Sequence, residues 1–252
     1  MALVFPEDLG DSQNGHAIGF TAYKSSVFAQ SVGNLMSFGS LGVTDRLGLG
    51  TPQGSNLQAI TTPQANIFMY VPAGGQTAMN WEQEHVYTDV KMARTVANFL
   101  GVGGALDAAG VGAAAGYAIN PRIEVLFQTT RLREFDFVFL MAPQSENESL
   151  NMKSIIDTFR LYSAPRLMQG SWFFESPSEW KITFWQRRGG SWTENTNIPK
   201  IARGVISSVV ATYPVPGGEY STFSNGHPVS AMLSIKFHEM SIIHQDRIKS
   251  GY

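Results

Sequence analysis

The chain has 252 residues, 43% hydrophobic and 12% aromatic, enough for one large domain with a sizeable core. A formal net charge of −2 gives no basic excess for gripping nucleic acid, and the absence of cysteine excludes disulfides and thiolate metal sites while permitting a reducing compartment. Charged residues make up only 15%, well below the usual quarter, which suits a surface covered by partners, though glycine-rich loops lower the figure too.

The first residues, Met1–Asp8, lack the basic region and long apolar run of a secretory signal. Ile18, Phe20 and Ala22 alternate over Ala17–Tyr23 and predict a strand. Ser25–Thr62 is rich in Gly, Ser, Gln and Asn, with no single hydrophobic period. It reads as a long irregular arm, ordered by a partner or disordered when free. Ile67–Val71 is a short apolar strand stopped by Pro72 and Gly74-Gly75, and Trp81–Asp89 has no clear period. Thr95–Ile119 is Gly/Ala-rich and apolar nearly all round. Its length would allow a membrane span, but Asp107 and the glycines favour a flexible or partner-buried linker.

The most informative stretch is Asn120–Tyr162. Ile123, Val125 and Phe127 share one face of Arg122–Gln128, and Phe135, Phe137 and Phe139 share one face of Arg133–Leu140. The short linker Thr129–Leu132 predicts that these two segments form a hairpin. Ser145 and Glu148 spell a capping box, and Met152, Ile155, Ile156 and Phe159 follow at helical spacing. Pro165 closes a helix expected over about 146–162. Farther on, Ser171–Glu175 and Glu179–Trp185 are expected to pair across a Ser176-Pro177-Ser178 turn, with Trp180, Ile182 and Phe184 on one face. Gly204–Tyr213 is β-branched. Val229, Ala231, Leu233, Ile235 and Phe237 alternate, and the apolar phase then moves to Met240 and Ile242, which predicts a β-bulge near His238-Glu239. The fold class is therefore mainly β with one flanking helix, an α+β arrangement in which the antiparallel strands close as a sandwich or barrel. Residues 1–119 supply N-terminal strands, the arm and the linker; residues 120–252 supply the sheet core.

Chemical motifs are sparse. His16, His85, His227, His238 and His244 include no pair at metal-ligand spacing. Glu82, Glu84 and His85 cluster without the order of a zinc-protease helix, and Glu175 and Glu179 read as surface charge rather than paired acids. Gly101–Gly104 lacks the Lys-Ser/Thr of a phosphate loop, and Arg187-Arg188 reads as a solvated loop or a subunit contact. No catalytic residue, cofactor or metal site is expected.

An ordered set of segments resembles the baseplate tube-junction, or tube-initiator, proteins of contractile-tailed bacteriophages. It comprises Asn120-Pro121-Arg122-Ile123-Glu124-Val125-Leu126-Phe127, Phe135–Phe139, Pro143–Glu146, Ile155–Phe159, Ser176–Trp180, Ser221-Thr222-Phe223, Gly226-His227-Pro228 and Phe237–Met240. The likeness covers Asn120–Tyr252, with a weaker echo in Phe5–Leu9 and Ile67–Tyr70; the glycine-rich arm departs from it. The resemblance implies a tail-tube fold of two packed antiparallel sheets with a helix on the flank. It also implies a homo-hexameric ring on the central hub of the baseplate that templates tail-tube subunits and passes DNA through its channel without specific binding. The location would be the virion, with assembly in the host cytoplasm and no membrane. Core and assembly positions are expected at Ile123, Val125, Phe127, Phe135, Phe137, Phe139, Ile155, Phe159, Trp180 and Phe237. Alternatives are a tube or tube-cap subunit of a related injection machine, a soluble β-sandwich carbohydrate-binding module or enzyme using Trp81, Trp172, Trp180 and Trp192, and a pore-former inserting Thr95–Ile119.

Overall fold

The computed structural model describes residues 2–10, 15–25, 63–72, 77–91, 123–167 and 174–252, with backbone alone for 88–91 and 123–127. The expected arm after Ser25, the segment Thr95–Ile119 and Trp172 lie outside the described residues. In chain order the elements are β1 (Ala2–Phe5), β2 (His16–Tyr23), β3 (Pro63–Tyr70), β4 (Ala78–Glu82), β5 (His85–Lys91), β6 (Ile123–Thr130), β7 (Glu134–Met141), α1 (Glu146–Ser163), β8 (Arg166–Leu167), β9 (Phe174–Glu175), β10 (Glu179–Arg188), β11 (Ser191–Glu194), β12 (Gly204–Thr212), β13 (Ala231–Glu239) and α2 (Gln245–Lys249). Two compact units result: Met1–Glu82 with Leu132–Tyr252, and Gln83–Arg131. Both the N-terminal strands and the C-terminal strands therefore belong to the larger unit.

The larger unit is built on a nine-stranded sheet in the order β1-β3-β2-β10-β12-β13-β7-β4, with β11 also on β10. Its pairs are antiparallel except β1–β3. The alternation that predicts β7 and β13 is what folds them. Phe135, Phe137, Phe139 and Met141 point into the core from β7, and Ala231, Leu233, Ile235 and Phe237 from β13. The register sets Phe137 opposite Ile235 and Phe135 opposite Phe237. Between β2 and β7 the sheet order interposes β10, β12 and β13. At about 4.8 Å per strand, a flat sheet would hold β2 and β7 roughly 19 Å apart. Yet the ring centre of Phe20 lies 5.6 Å from Phe137 and 6.1 Å from Phe139. The sheet therefore doubles over on its apolar face. It turns at the β10–β12 junction, where Trp180 opposite Gly204 is the one register pair between those strands. A β-carbon at Gly204 would lie 2.1 Å from the His238 carbonyl oxygen and 2.5 Å from the Phe237 ring, so only glycine fits this corner.

Helix α1 covers the doubled sheet. Met152, Ile155, Ile156 and Phe159 are buried, with Phe159 stacked on Trp180 at 5.2 Å. The Ser145 hydroxyl accepts the Glu148 N–H at 3.1 Å. The returning arm differs from a simple capping box: the Glu148 carboxylate accepts the N–H of Gln144 at 2.7 Å and that of Glu7 at 3.1 Å. The cap thus also anchors the chain just after β1, and the Asn151 amide donates to the Val4 carbonyl.

Three expectations are corrected. The segments now seen as β6 and β7 do not form a hairpin with each other. β6 pairs with β5 in the smaller unit, while β7 lies between β13 and β4. Two alternating segments joined by a short polar linker look alike whether the chain reverses or runs on, and the partners β4 and β5 carry too little periodicity to reveal themselves. Of the segment expected to pair with β10, Ser171–Phe173 lies outside the described residues, and Phe174–Glu175 does not take that place. Its described end, β9, pairs with β8, and β10 takes β2 from the other end of the chain. No bulge interrupts β13 near His238. The inward position after Phe237 is Glu239, 1% exposed, and the strand ends there, leaving Met240 and Ile242 outside. The irregularity in this pairing sits across the ladder, between Ile206 and Ser208 of β12.

A carboxylate can end a core strand because Arg133 meets it. Arg133 Nε and Nη2 donate to the two Glu239 oxygens at 2.8 and 2.7 Å, and Nη2 also reaches the Lys200 carbonyl at 3.1 Å. The Ala202 N–H donates to Glu239 at 2.6 Å. The side chains are 9% and 0% exposed, so removing one partner strands the other charge away from water. Arg133→Met is expected to cost about 3–5 kcal/mol in urea unfolding. Arg133→Met combined with Glu239→Leu should recover part of that loss, the Ala202 N–H remaining unpaired.

Candidate functional site

Most of the expected assembly positions are in the interior. Phe135, Phe137, Phe139, Ile155, Phe159, Trp180 and Phe237 belong to one buried cluster, none more than 1% exposed. Ile123, Val125 and Phe127 lie on β6, in the smaller unit, where only the backbone is described. The phenylalanines orient the sheet; any contact with another molecule falls to its outer face and edges.

The register defines that outer face across β12, β13, β7 and β4. Glu82, Glu134 and His238 form one cross-strand row, and Asn80, Asp136, Lys236 and Ser208 the next. Ala78, Val138, Ser234 and Val210 follow, then Leu140, Met232 and Thr212. The face runs from charged to apolar along the strands. Its polar cross-strand contacts, His238 to Glu134 at 3.4 Å and the ion pair of Lys236 with Asp136 at 4.0 Å, are partly exposed and contribute little to stability.

Both edges of this four-strand run are open among the described residues. β12 pairs β13 along its length but meets β10 only at Gly204, and β4 has β7 on one side alone. A groove of about 580 Å³ lies beside β12, between Ile206–Val209 and the C-terminal turns of α1 at Asp157, Arg160 and Leu161. Open edges present unpaired N–H and C=O groups, the usual template for another strand.

Where β4 runs out, Tyr70 takes its place. Its hydroxyl receives the Leu140 N–H at 2.7 Å and donates to the Leu140 carbonyl at 2.8 Å. The ring packs edge-on against Phe139 at 5.7 Å. Burial pushes the phenol up from 10.0 to about 12.

The remaining sequence candidates disperse. Glu175 pairs with Lys24 at 3.1 Å. Glu179 is 2% exposed rather than a surface charge, near Arg203 at 4.0 Å and the Ser25 hydroxyl at 3.5 Å. Arg187 donates to the Gly10 carbonyl. His244 is the N-cap residue of α2, and His85 contacts Gln83 and Thr130 at 3.1 Å each. Among the described residues no three His, Asp or Glu side chains gather as a metal site, and no helix is long and apolar enough to cross a membrane. Trp180 is fully buried, so it offers no sugar platform, whereas Trp81 is half exposed. Sequence reading passes over Tyr70, Arg133 and Glu239. The one usable signal was the broken phase after Phe237, which marks an inward charge. The chain matches no protein-family model and no curated protein.

Tyr70→Phe is expected to cost about 1–3 kcal/mol at neutral pH, since the Leu140 N–H and C=O lose their partner. The neutral phenol is favoured in the fold, so its contribution is complete below pH 10.0 and lost as pH rises toward about 12. Urea unfolding at pH 8 and pH 11 should therefore show the gap between wild type and Tyr70→Phe narrowing in alkali.

Proposed function

We propose that this chain is a structural virion protein, a ring-forming subunit at the junction between the baseplate and the tail tube of a contractile-tailed phage. In this reading six copies sit on the central hub, the free face of the ring templates tail-tube subunits, and DNA slides through the channel without specific binding. The work is assembly rather than catalysis. The ordered likeness over Asn120–Tyr252 supplies the family context.

The observation that carries the reading is the pair of open edges on β12 and β4. The run β12-β13-β7-β4 alternates in direction, so its two edges are antiparallel to each other. The β4 edge of one copy can then pair with the β12 edge of the next without reversing the order. A heterologous contact of that kind closes into a ring when the rotation between copies is right. The low charge of the chain suits a molecule largely covered by its neighbours. A net charge of −2 suits a channel that releases DNA.

Mass spectrometry of particles pelleted from the source culture tests this directly. The expected result is a few copies per particle, consistent with one ring. Hundreds of copies would make the chain the tube subunit itself, and a chain that never travels with particles sinks the virion reading. Phe137→Asp places a carboxylate at a fully buried position and is expected to abolish incorporation; particles that incorporate it normally would remove β7 from the core that shapes the ring.

A further inference from the structure

We propose that Trp81 of one copy seats in the groove between β12 and α1 of the next, as the side-chain anchor of the contact between their sheet edges. The inference rests on the ring reading, whose edge pairing it deepens by naming the residues that lock it.

Trp81 is the direct cross-strand partner of Phe135, and Met79 that of Phe137, so both point to the core face of the sheet. Phe135 and Phe137 are buried, with strands on both sides of β7. Trp81 and Met79 stand on the last strand, where nothing among the described residues continues the face. The Trp81 ring meets Phe135 edge-on at 6.4 Å and is still half exposed. A tryptophan turned toward the core yet left half wet at a sheet edge has the look of a core cut in two, the form that obligate interfaces take.

The opposite edge is complementary. The groove there holds about 580 Å³, walled on one side by Ile206 and Val209 of β12 and on the other by Leu161, Ser163 and Ala164 at the end of α1. Leu161 is 67% exposed. The Ser163 hydroxyl is buried without a hydrogen-bond partner among the described residues. Helix α1 packs on the core face of the sheet, so the groove opens on the same face that Trp81 and Met79 occupy at the other edge.

The register ties the two edges together. Trp81, Phe135, Phe237 and Ile206 form one cross-strand row, and Met79, Phe137, Ile235 and Val209 form another. When the β4 edge of a neighbour continues the sheet beyond β12 with no shift along the strands, each row repeats. The neighbour's Trp81 then lies beside Ile206 and its Met79 beside Val209, the two inward residues of β12 that wall the groove. On the outer face the same register sets Asn80 beside Ser208 and Ala78 beside Val210, polar with polar and apolar with apolar. A slip of one residue would turn both anchors out to water, so the anchors also fix the register. Within one copy three strand spacings, about 14 Å, separate β4 from β12, so this pairing is one between copies.

The chain contains no cysteine, so engineered thiols report cleanly. Asn80→Cys combined with Ser208→Cys tests the edge pairing. Under mild oxidant it is expected to give a ladder of linked multimers, because the two sites of one copy lie outside the roughly 7 Å between α-carbons that a disulfide spans. Trp81→Ser and Leu161→Glu test the anchor. Each is expected to weaken self-association roughly tenfold or more in sedimentation, and Leu161→Glu, at an exposed position, to leave the thermal melt unchanged. The inference is overturned if the ladder forms and either single variant associates as wild type does; the edge pairing and the ring reading then survive. It falls together with the edge pairing of the ring reading if no ladder forms or the chain is monomeric at every accessible concentration.

Discussion

Phe20 stands where both halves of the doubled sheet and the covering helix converge. Its ring meets Phe137, Phe139 and Phe159 edge-on, at 5.6, 6.1 and 5.2 Å. Edge-to-face packing of this kind fixes the angles between elements as well as burying area. A sheet apolar along one face must cover that face, and here it does so by closing on itself with α1 over the fold. The remaining geometry follows. The corner at Gly204 has to be tight, β12 has to leave β10 after one pair, and its far edge is left open as a result.

Three polar groups in or near this interior share a role. Each stands where a regular element stops and its backbone groups lose their partners. Glu239 ends β13 and collects the Ala202 N–H and the Arg133 guanidinium. Tyr70 supplies Leu140 beyond the end of β4. Glu148 serves the entry to α1 and the turn after β1 together. They are terminations, and they determine which edges remain available to another molecule.

What the sequence discloses tracks how local the cause is. Phe135, Phe137 and Phe139 announce β7 because period-two burial is written within eight residues, and Ser145 with Glu148 announces α1 because capping spans four. Strand partners are not local. Nothing in β10 names β2, and nothing in β6 chooses β5 over β7, since an alternating strand fits any apolar face of suitable length. Glu239 shows how an interior charge is misread: alone it breaks a hydrophobic phase and mimics a bulge, and only the approach of Arg133 explains it. The candidate surfaces are less legible still. Open edges and cavities are defined by what the fold leaves uncovered, which no residue pattern states.

The β2–β10 ladder has a consequence for how the chain reaches this state. Residues from near the N-terminus are stitched to residues in the last third of the chain, and β7 to β13 across a shorter but still long separation. Such high contact order makes folding slow, because loop closure must precede any reward from pairing. On the ribosome, Ile18 and Phe20 emerge long before Ile182 and Phe184 exist to cover them. The nascent N-terminal half therefore carries uncovered strands through most of translation, and chaperone supply becomes part of what limits the yield of native protein.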